Sequence, residues 1–401
     1  MDCKEIESLV LLGLVSGLGP TLTRRCMEVM GSASGVLEAS ASDLAGVRGI
    51  GGGKSRAIVE GIQKELRGDR YQRELDLVAE YDVDLIGFED PRYPRMLKHI
   101  PDPPMLLYVR GQLEAGDALA IGIVGARKCT HYGREQADRF AMLCSQAGLC
   151  IVSGGAYGID HAAHCAVLRG KGRTIAVIGS GHSEPYPQQH EGMFDQIASG
   201  RGAVISEFGM TVKPKAENFP RRNRIISGMS LGILVIEAAV RSGALITARL
   251  AAEDHGREVM AVPGRVDSFA SGGCHKMIRE GWARLVCNVG DVLDSLGDAG
   301  EILKQGVAED APNQKQINSS NRENAKGGMD HRVKTRGGET AAVEANLSEN
   351  QAKIMSVLEG RMAMDEICER VGLTIGAVMG ELTMLEIHNR VRRVDGRFEK
   401  I

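Results

Sequence analysis

ALAIGIVGARKCTHYG, residues Ala118–Gly133, is the stretch that decides the fold. An uncharged apolar run ends at Val124, Gly125 follows, Arg127 and Lys128 come next, and a helix begins near His131. A strand buried on both faces reads as a near-continuous apolar run. Strand, glycine turn and helix together form the repeating unit of a sheet covered by helices. The unit recurs downstream: LCIVSG (149–154), TIAVIG (174–179), AVISE (203–207), GILVIEA (232–238), EVMAVPG (258–264) and ARLVCN (283–288), with amphipathic segments between them. Residues 118–297 are therefore expected to form an α/β domain, a Rossmann-like, doubly wound, mainly parallel sheet.

On the N-terminal side, DPRYPRMLKHIPDPPMLLYVRG (Asp90–Gly111) carries Pro91, Pro94, Pro101, Pro103 and Pro104, which forbid a regular helix. Residues 71–117 read as a connector to the core, extended over that proline-rich stretch. Before it, LVSGLGPTLTRRCMEVM (Leu14–Met30) and LAGVRGIGGGKSRAIVEGI (Leu44–Ile62) share a layout of helix, glycine turn and helix. Residues 1–70 are thus expected to be a helical, helix-hairpin-helix or SAM-like domain. The second hairpin's turn can offer backbone N–H groups to a phosphate beside Lys54 and Arg56; the alternative is a helical bundle whose glycines only cap helices.

On the C-terminal side, Asp298–Asn346 has no Phe, Trp or Tyr and is crowded with polar residues, so 298–346 is expected to be a flexible linker. Residues 347–401 show three helical periods and then VRRV-DG-RFEK, where Asp395-Gly396 suits a tight hairpin. That pattern predicts a winged-helix domain.

A chain of 401 residues exceeds what one core usually serves, in keeping with satellites around a central domain. The net charge of −3 excludes a protein that coats polyanions by overall charge, so binding must come from local patches. Met210–Arg224 holds five Lys/Arg against one Glu, and Ile387–Ile401 five against two acids; either can also be an ordinary solvated face. Nine cysteines without a Cys-x-x-Cys pair read as reduced thiols, and no metal site is expected. The acidic start MDCKEIESL and the absence of a long apolar run predict a cytoplasmic protein without membrane contact.

Ligands of open parallel sheets bind where strand ends meet helix starts, so each exit is a candidate site. The first supplies Arg127 and Lys128. The second, SGGAYGIDHAAH, supplies Ser153, Gly154, Gly155 and Gly158 as an anion cradle. The third contains His182, which without a placed acid or nucleophile reads as structural. ENFPRRNRIISGMS (Glu217–Ser230) places Arg221, Arg222, Asn223 and Arg224 at the start of a helix, where forked donors and a positive dipole end suit a polyanion. Phe219 is either a base-stacking ring or a staple for that helix. EAAVRSGALITARLA brings Ser242 and Gly243 to the same crevice. No dinucleotide fingerprint and no Walker loop occur, and no cofactor is expected.

Taken in order, VGARKCTHYG, SGGAYGIDHAAHCAVL, TIAVIGSGHSEPYP, FPRRNRIISGMS, EAAVRSGALITA and AVPGRVDSFASGGCHKMIREG resemble the DprA/Smf family closely from Leu85 to about Asp291. The resemblance implies a homodimeric, non-catalytic protein that binds single-stranded DNA and loads RecA onto it during natural transformation and recombination. It implies DNA contacts at Arg127, the Ser153-Gly154-Gly155 turn, and Phe219 with Arg221 to Arg224. Ala126, Tyr157, His275 and Trp282 depart from the family's usual residues and leave the partner surfaces open.

Two other readings stand beside it. A Rossmann-like nucleotide or nucleoside phosphoribohydrolase would need a carboxylate such as Glu207 or Glu237, though the glycine-rich motif of such enzymes is missing. An adaptor reading rests on a basic wing at Arg390, Arg392, Arg393 and Arg397.

Overall fold

The computed structural model describes residues 2–309, 348–373, 378, 381–382, 385, 390–394 and 397–401. They form two compact units, Met1–Cys287 and Asn288–Ile401.

The first unit opens with six helices, α1 (Cys3–Leu14), α2 (Pro20–Met30), α3 (Ala33–Glu38), α4 (Ala41–Ala45), α5 (Gly52–Arg67) and α6 (Arg70–Glu80). Their apolar faces close around Leu12, Val36, Leu44, Ile58 and Ile62, all buried. Pro20 sits in the first turn of α2, where its missing N–H costs nothing. Ser32 and Ser40 cap α3 and α4 by accepting from Gly35 N–H and Asp43 N–H. The helix–turn–helix layout of the two glycine-split segments is present in α1–α2 and α4–α5.

A nine-stranded sheet follows: β1 (Val83–Gly87), β2 (Leu106–Gly111), β3 (Ala120–Val124), β4 (Cys150–Ser153), β5 (Thr174–Val177), β6 (Gly202–Ser206), β7 (Gly232–Val235), β8 (Glu258–Ala261) and β9 (Arg284–Leu285), in the order β1-β2-β6-β5-β4-β3-β7-β8-β9. All neighbours from β6 across to β9 run parallel, and β2 and β1 add antiparallel at one edge. Helices α7 (His131–Gln146), α8 (Ile159–Arg169), α9 (Glu191–Ala198), α10 (Asn218–Met229), α11 (Ala244–Arg249) and α12 (Gly272–Arg279) connect the strands. Ile121, Val152, Ile175, Ile205 and Ile233 are buried on β3 to β7, as the uncharged runs require.

The expected α/β, mainly parallel Rossmann-like sheet is thus present, with two differences from the sequence reading. The stretch expected to be a connector, residues 71–117, is largely structured: its first residues belong to α6, and it then supplies β1 and β2, the prolines from Pro91 to Pro104 blocking an α-helix only between those two strands. In the second unit, α13 (Val289–Ser295) is followed by α14 (Asp298–Glu309), so the expected linker starts with a helix. Leu303 is buried there, and Lys304 pairs with Asp294 and Glu301. A lack of aromatic residues did not prevent one aliphatic side chain and an ion-pair cluster from holding twelve residues helical. The remainder of the expected linker lies outside the described residues.

The C-terminal part of that unit contains α15 (Glu349–Val357), α16 (Met364–Val371) and the antiparallel pair β10 (Val391–Val394) and β11 (Arg397–Lys400), packed on Ile354, Leu358, Ile367 and Phe398. The expected hairpin tip Asp395-Gly396 and most of the third helical period lie outside the described residues. Among the described residues no helix is long and apolar enough to cross a membrane.

Candidate nucleic-acid interface

The chain lays down β3, β4, β5 and β6 in one direction, then crosses back to place β7 on the other side of β3. This reversal leaves a crevice at the carboxyl ends of β3 and β7, where α/β sheets take ligands. It has a volume of about 770 Å³ and is open to solvent along its length. Arg127 and Lys128 line it from the β3 exit, and Arg241, Ser242 and Gly243 from the β7 exit. Phe219, Arg222 and Asn223 come from the first turns of α10, and Tyr186 and Phe269 line it as well. With α8 and α11 also starting here, several helix N-termini point positive ends at the space.

The loops are tied together beneath this surface. Glu237, buried at the end of β7, accepts hydrogen bonds from both Thr130 N–H and Thr130 Oγ1 at 2.7 Å, and its carbonyl accepts from Ala126 N–H at 2.7 Å. Thr130 in turn caps α7 by accepting from Gly133 N–H. Gly158 has φ 79°, and a Cβ there would lie 2.2 Å from the Ala126 carbonyl oxygen, so only glycine lets the β4 exit pack against the loop bearing Arg127. On the surface, the Arg127 guanidinium lies over the Phe219 ring, 4.8 Å from its centroid, and Phe219 meets Tyr186 with ring centroids 5.5 Å apart.

The arginine-rich start of α10 divides its side chains. Arg222 is 3% exposed: it donates to the Val177 carbonyl oxygen and lies so close over Gly154 that a Cβ there would be 2.3 Å from its guanidinium. Burial pushes its pKa down to about 10, against the attraction of Asp160, whose own carboxyl is raised by burial while Arg222 and Arg127 pull it back. Arg224 is also buried; it donates to Glu207 at 2.5 Å and pairs with Asp102 at 3.0 Å. Arg221, half-exposed, pairs with the same Glu207 oxygen at 3.2 Å and lies over Phe208. Ser153, Gly154 and Gly155 are buried, and the Ser153 hydroxyl donates to the Ile123 carbonyl at 2.6 Å.

Of the residues singled out by sequence, the structure brings Arg127, Lys128, Phe219, Arg222, Asn223, Ser242 and Gly243 to one crevice. Arg221, Arg224 and the Ser153–Gly155 turn are not among its lining residues. Lys54 and Arg56 are exposed on the first turns of α5, away from the lining set. Sequence reasoning missed Arg241, Asp160, Tyr186 and Phe269. Arg241 immediately precedes Ser242 and was legible as the cation of that turn; Phe269 lies within the quoted AVPGRVDSFASGGCHKMIREG stretch, but nothing in that stretch marks its ring as exposed toward the crevice. Glu207 and Glu237 face inward to Arg221 and Arg224 or to Thr130, and neither lines the crevice. His182 hydrogen-bonds the Tyr108 carbonyl, and burial pushes its pKa down to about 4. Among the described residues no group of three His, Cys, Asp or Glu is placed to hold a metal ion.

Comparison with known proteins gives a consistent picture. Residues 84–297 match the family model described as DNA recombination-mediator protein A, and residues 338–397 match the DprA winged helix domain. The chain is 35% identical to Protein Smf of Synechocystis over 95% of both chains. It is 42% identical to DNA processing protein DprA of Streptococcus pneumoniae over 51% of this chain and 71% of that one. The crystal structure of DNA processing protein A from the same organism superposes with a TM-score of 0.61 at 34% identity, covering 72% of this chain and 97% of that one.

Proposed function

The chain belongs to the DNA recombination-mediator protein A family, and from that premise we propose that its switch-point crevice binds single-stranded DNA so that RecA can be loaded onto it. The observation that carries this reading is the pairing of exposed cations with aromatic rings in one open groove: Arg127, Lys128 and Arg241 line it together with Phe219 and Tyr186, and Arg127 lies over the Phe219 ring. Single strands are held by this combination, since phosphates follow a cationic track while unpaired bases stack on rings. Duplex bases are already stacked and cannot use the rings, so the groove favours single strands.

The protein acts as a binder and not as a catalyst in this reading, because both candidate glutamates are held in structural contacts and the crevice carboxyl, Asp160, is opposed by Arg222. A homodimer would set two grooves along one strand. The test is fluorescence anisotropy of a labelled oligonucleotide and its duplex form, followed by RecA filament formation on the bound strand. Selective binding of the single strand with faster filament growth is the expected result; equal, weak binding of both forms contradicts the proposal.

A further inference from the structure

Besides Phe219 and Tyr186, the crevice is lined by a third aromatic ring. Phe269, 83% exposed, stands at the start of a short 3-10 turn (Phe269–Ser271) that leads into α12, and its side chain lines the same crevice as Arg127 and Arg241. Ile246 of α11, 44% exposed, lines the same crevice, and Val240, 47% exposed, lies against Gly272 at the start of α12, so the apolar surface is not confined to one residue.

The loop that presents this ring is fixed at several points. Tyr132 Oη donates to the Pro263 carbonyl at 2.8 Å, and His275 Nε2 hydrogen-bonds the Gly264 carbonyl at 3.1 Å. Ser268 N–H and Ser271 N–H close successive turns onto Arg265 and Ser268 carbonyls, and Gly273 N–H donates to the Ala238 carbonyl at 2.7 Å. A phenylalanine held out into water on a pinned turn has already lost the backbone freedom that binding would otherwise cost.

We propose that Phe269 is a second base-stacking platform of the crevice, so that a single strand is gripped by its bases at Phe219 and at Phe269 and by Arg127, Lys128 and Arg241 through its phosphates. This rests on the single-strand reading of the groove. The occupant is set by charge: the cations that line the same crevice suit a polyanion, and a polyanion with unpaired bases gives the exposed ring something to stack on.

The experiment compares wild type, Phe269→Ala and Phe269→Trp in anisotropy titrations with a labelled oligothymidylate and an abasic oligonucleotide of equal length, across a salt series. Phe269 is almost wholly exposed, so truncation leaves the core intact. The proposal expects Phe269→Ala to weaken the oligothymidylate about tenfold, to leave the abasic strand and the salt slope unchanged, and Phe269→Trp to bind at least as well as wild type. Unchanged affinity for both strands overturns it, whether or not sedimentation then shows altered self-association, and so does equal weakening of both. Failure of wild type to bind either strand instead removes the reading of the groove itself.

Discussion

The Arg127 guanidinium sits 4.8 Å from the centroid of the Phe219 ring, so an exposed cation and a stacking ring from two different strand exits act as one unit. A cation over an aromatic face is attracted by the ring's quadrupole, which holds the guanidinium ready above the groove. Replacing Arg127 by Ala is expected to weaken single-strand binding about tenfold and to lower the slope of log affinity against log salt by about one. Lysine at the same position should keep the slope and recover only part of the affinity, because it lacks the planar fork. Salt-series titrations of the three proteins check both statements.

Arg222 is expected to behave differently from Arg127, although both line the crevice. Its guanidinium is buried over Gly154, donates to the Val177 carbonyl and offsets the buried Asp160 carboxyl. Removing it takes from that carboxyl the stronger of its two cationic attractions, leaving only Arg127, and takes the Arg222 donor from the Val177 carbonyl, at a cost on the order of 3 kcal/mol. Arg222→Ala should therefore lower Tm markedly, and adding Asp160→Asn should recover part of the loss. Denaturation of the single and double variants measures this coupling.

Glu237 gives a test in which charge and preorganisation oppose each other. Glu237→Gln removes a negative charge beneath a basic groove, which by charge alone strengthens binding of a polyanion. It also puts an amide group against Thr130 N–H and Oγ1, loosening the loop that bears Arg127. We expect the second effect to win, with several-fold weaker DNA binding and about 1–2 kcal/mol lower stability.

The buried histidines set a pH dependence. His164 is fully buried, its Nδ1 bonded to Thr174 Oγ1 at 2.7 Å, and burial drives its pKa from 6.5 down to about 3. The unfolded chain takes up this proton near pH 6.5 and the folded chain does not, so the neutral ring's contribution is complete above 6.5. It is lost progressively as pH falls toward 3, at roughly 1.4 kcal/mol per pH unit. His164→Asn should show a shallower fall in stability between pH 6.5 and 5 than wild type, read by urea denaturation at each pH.

The sheet was legible because uncharged runs such as ALAIGIV and GILVIEA have no other stable home than a buried parallel strand. The site was legible where a cation followed a glycine turn, as at Arg127 and Lys128. It was less legible in FPRRNRIISG, where three arginines look alike in sequence yet one turn of helix sends Arg222 under the crevice and Arg221 and Arg224 to Glu207. Helical spacing alone cannot say which face meets the groove until the neighbouring strands are placed. Ser153 ends its strand facing Ile123 rather than solvent, which only the register of β4 against β3 decides.

The most direct test is the salt dependence of single-strand binding for wild type and for Arg127→Ala/Arg241→Ala, which removes two exposed cations that line the crevice from different strand exits. The account predicts steep salt dependence in wild type, a slope lower by about two in the double variant and affinity reduced well beyond either single change. Unchanged slope and affinity in a folded double variant would place the DNA elsewhere and contradict it.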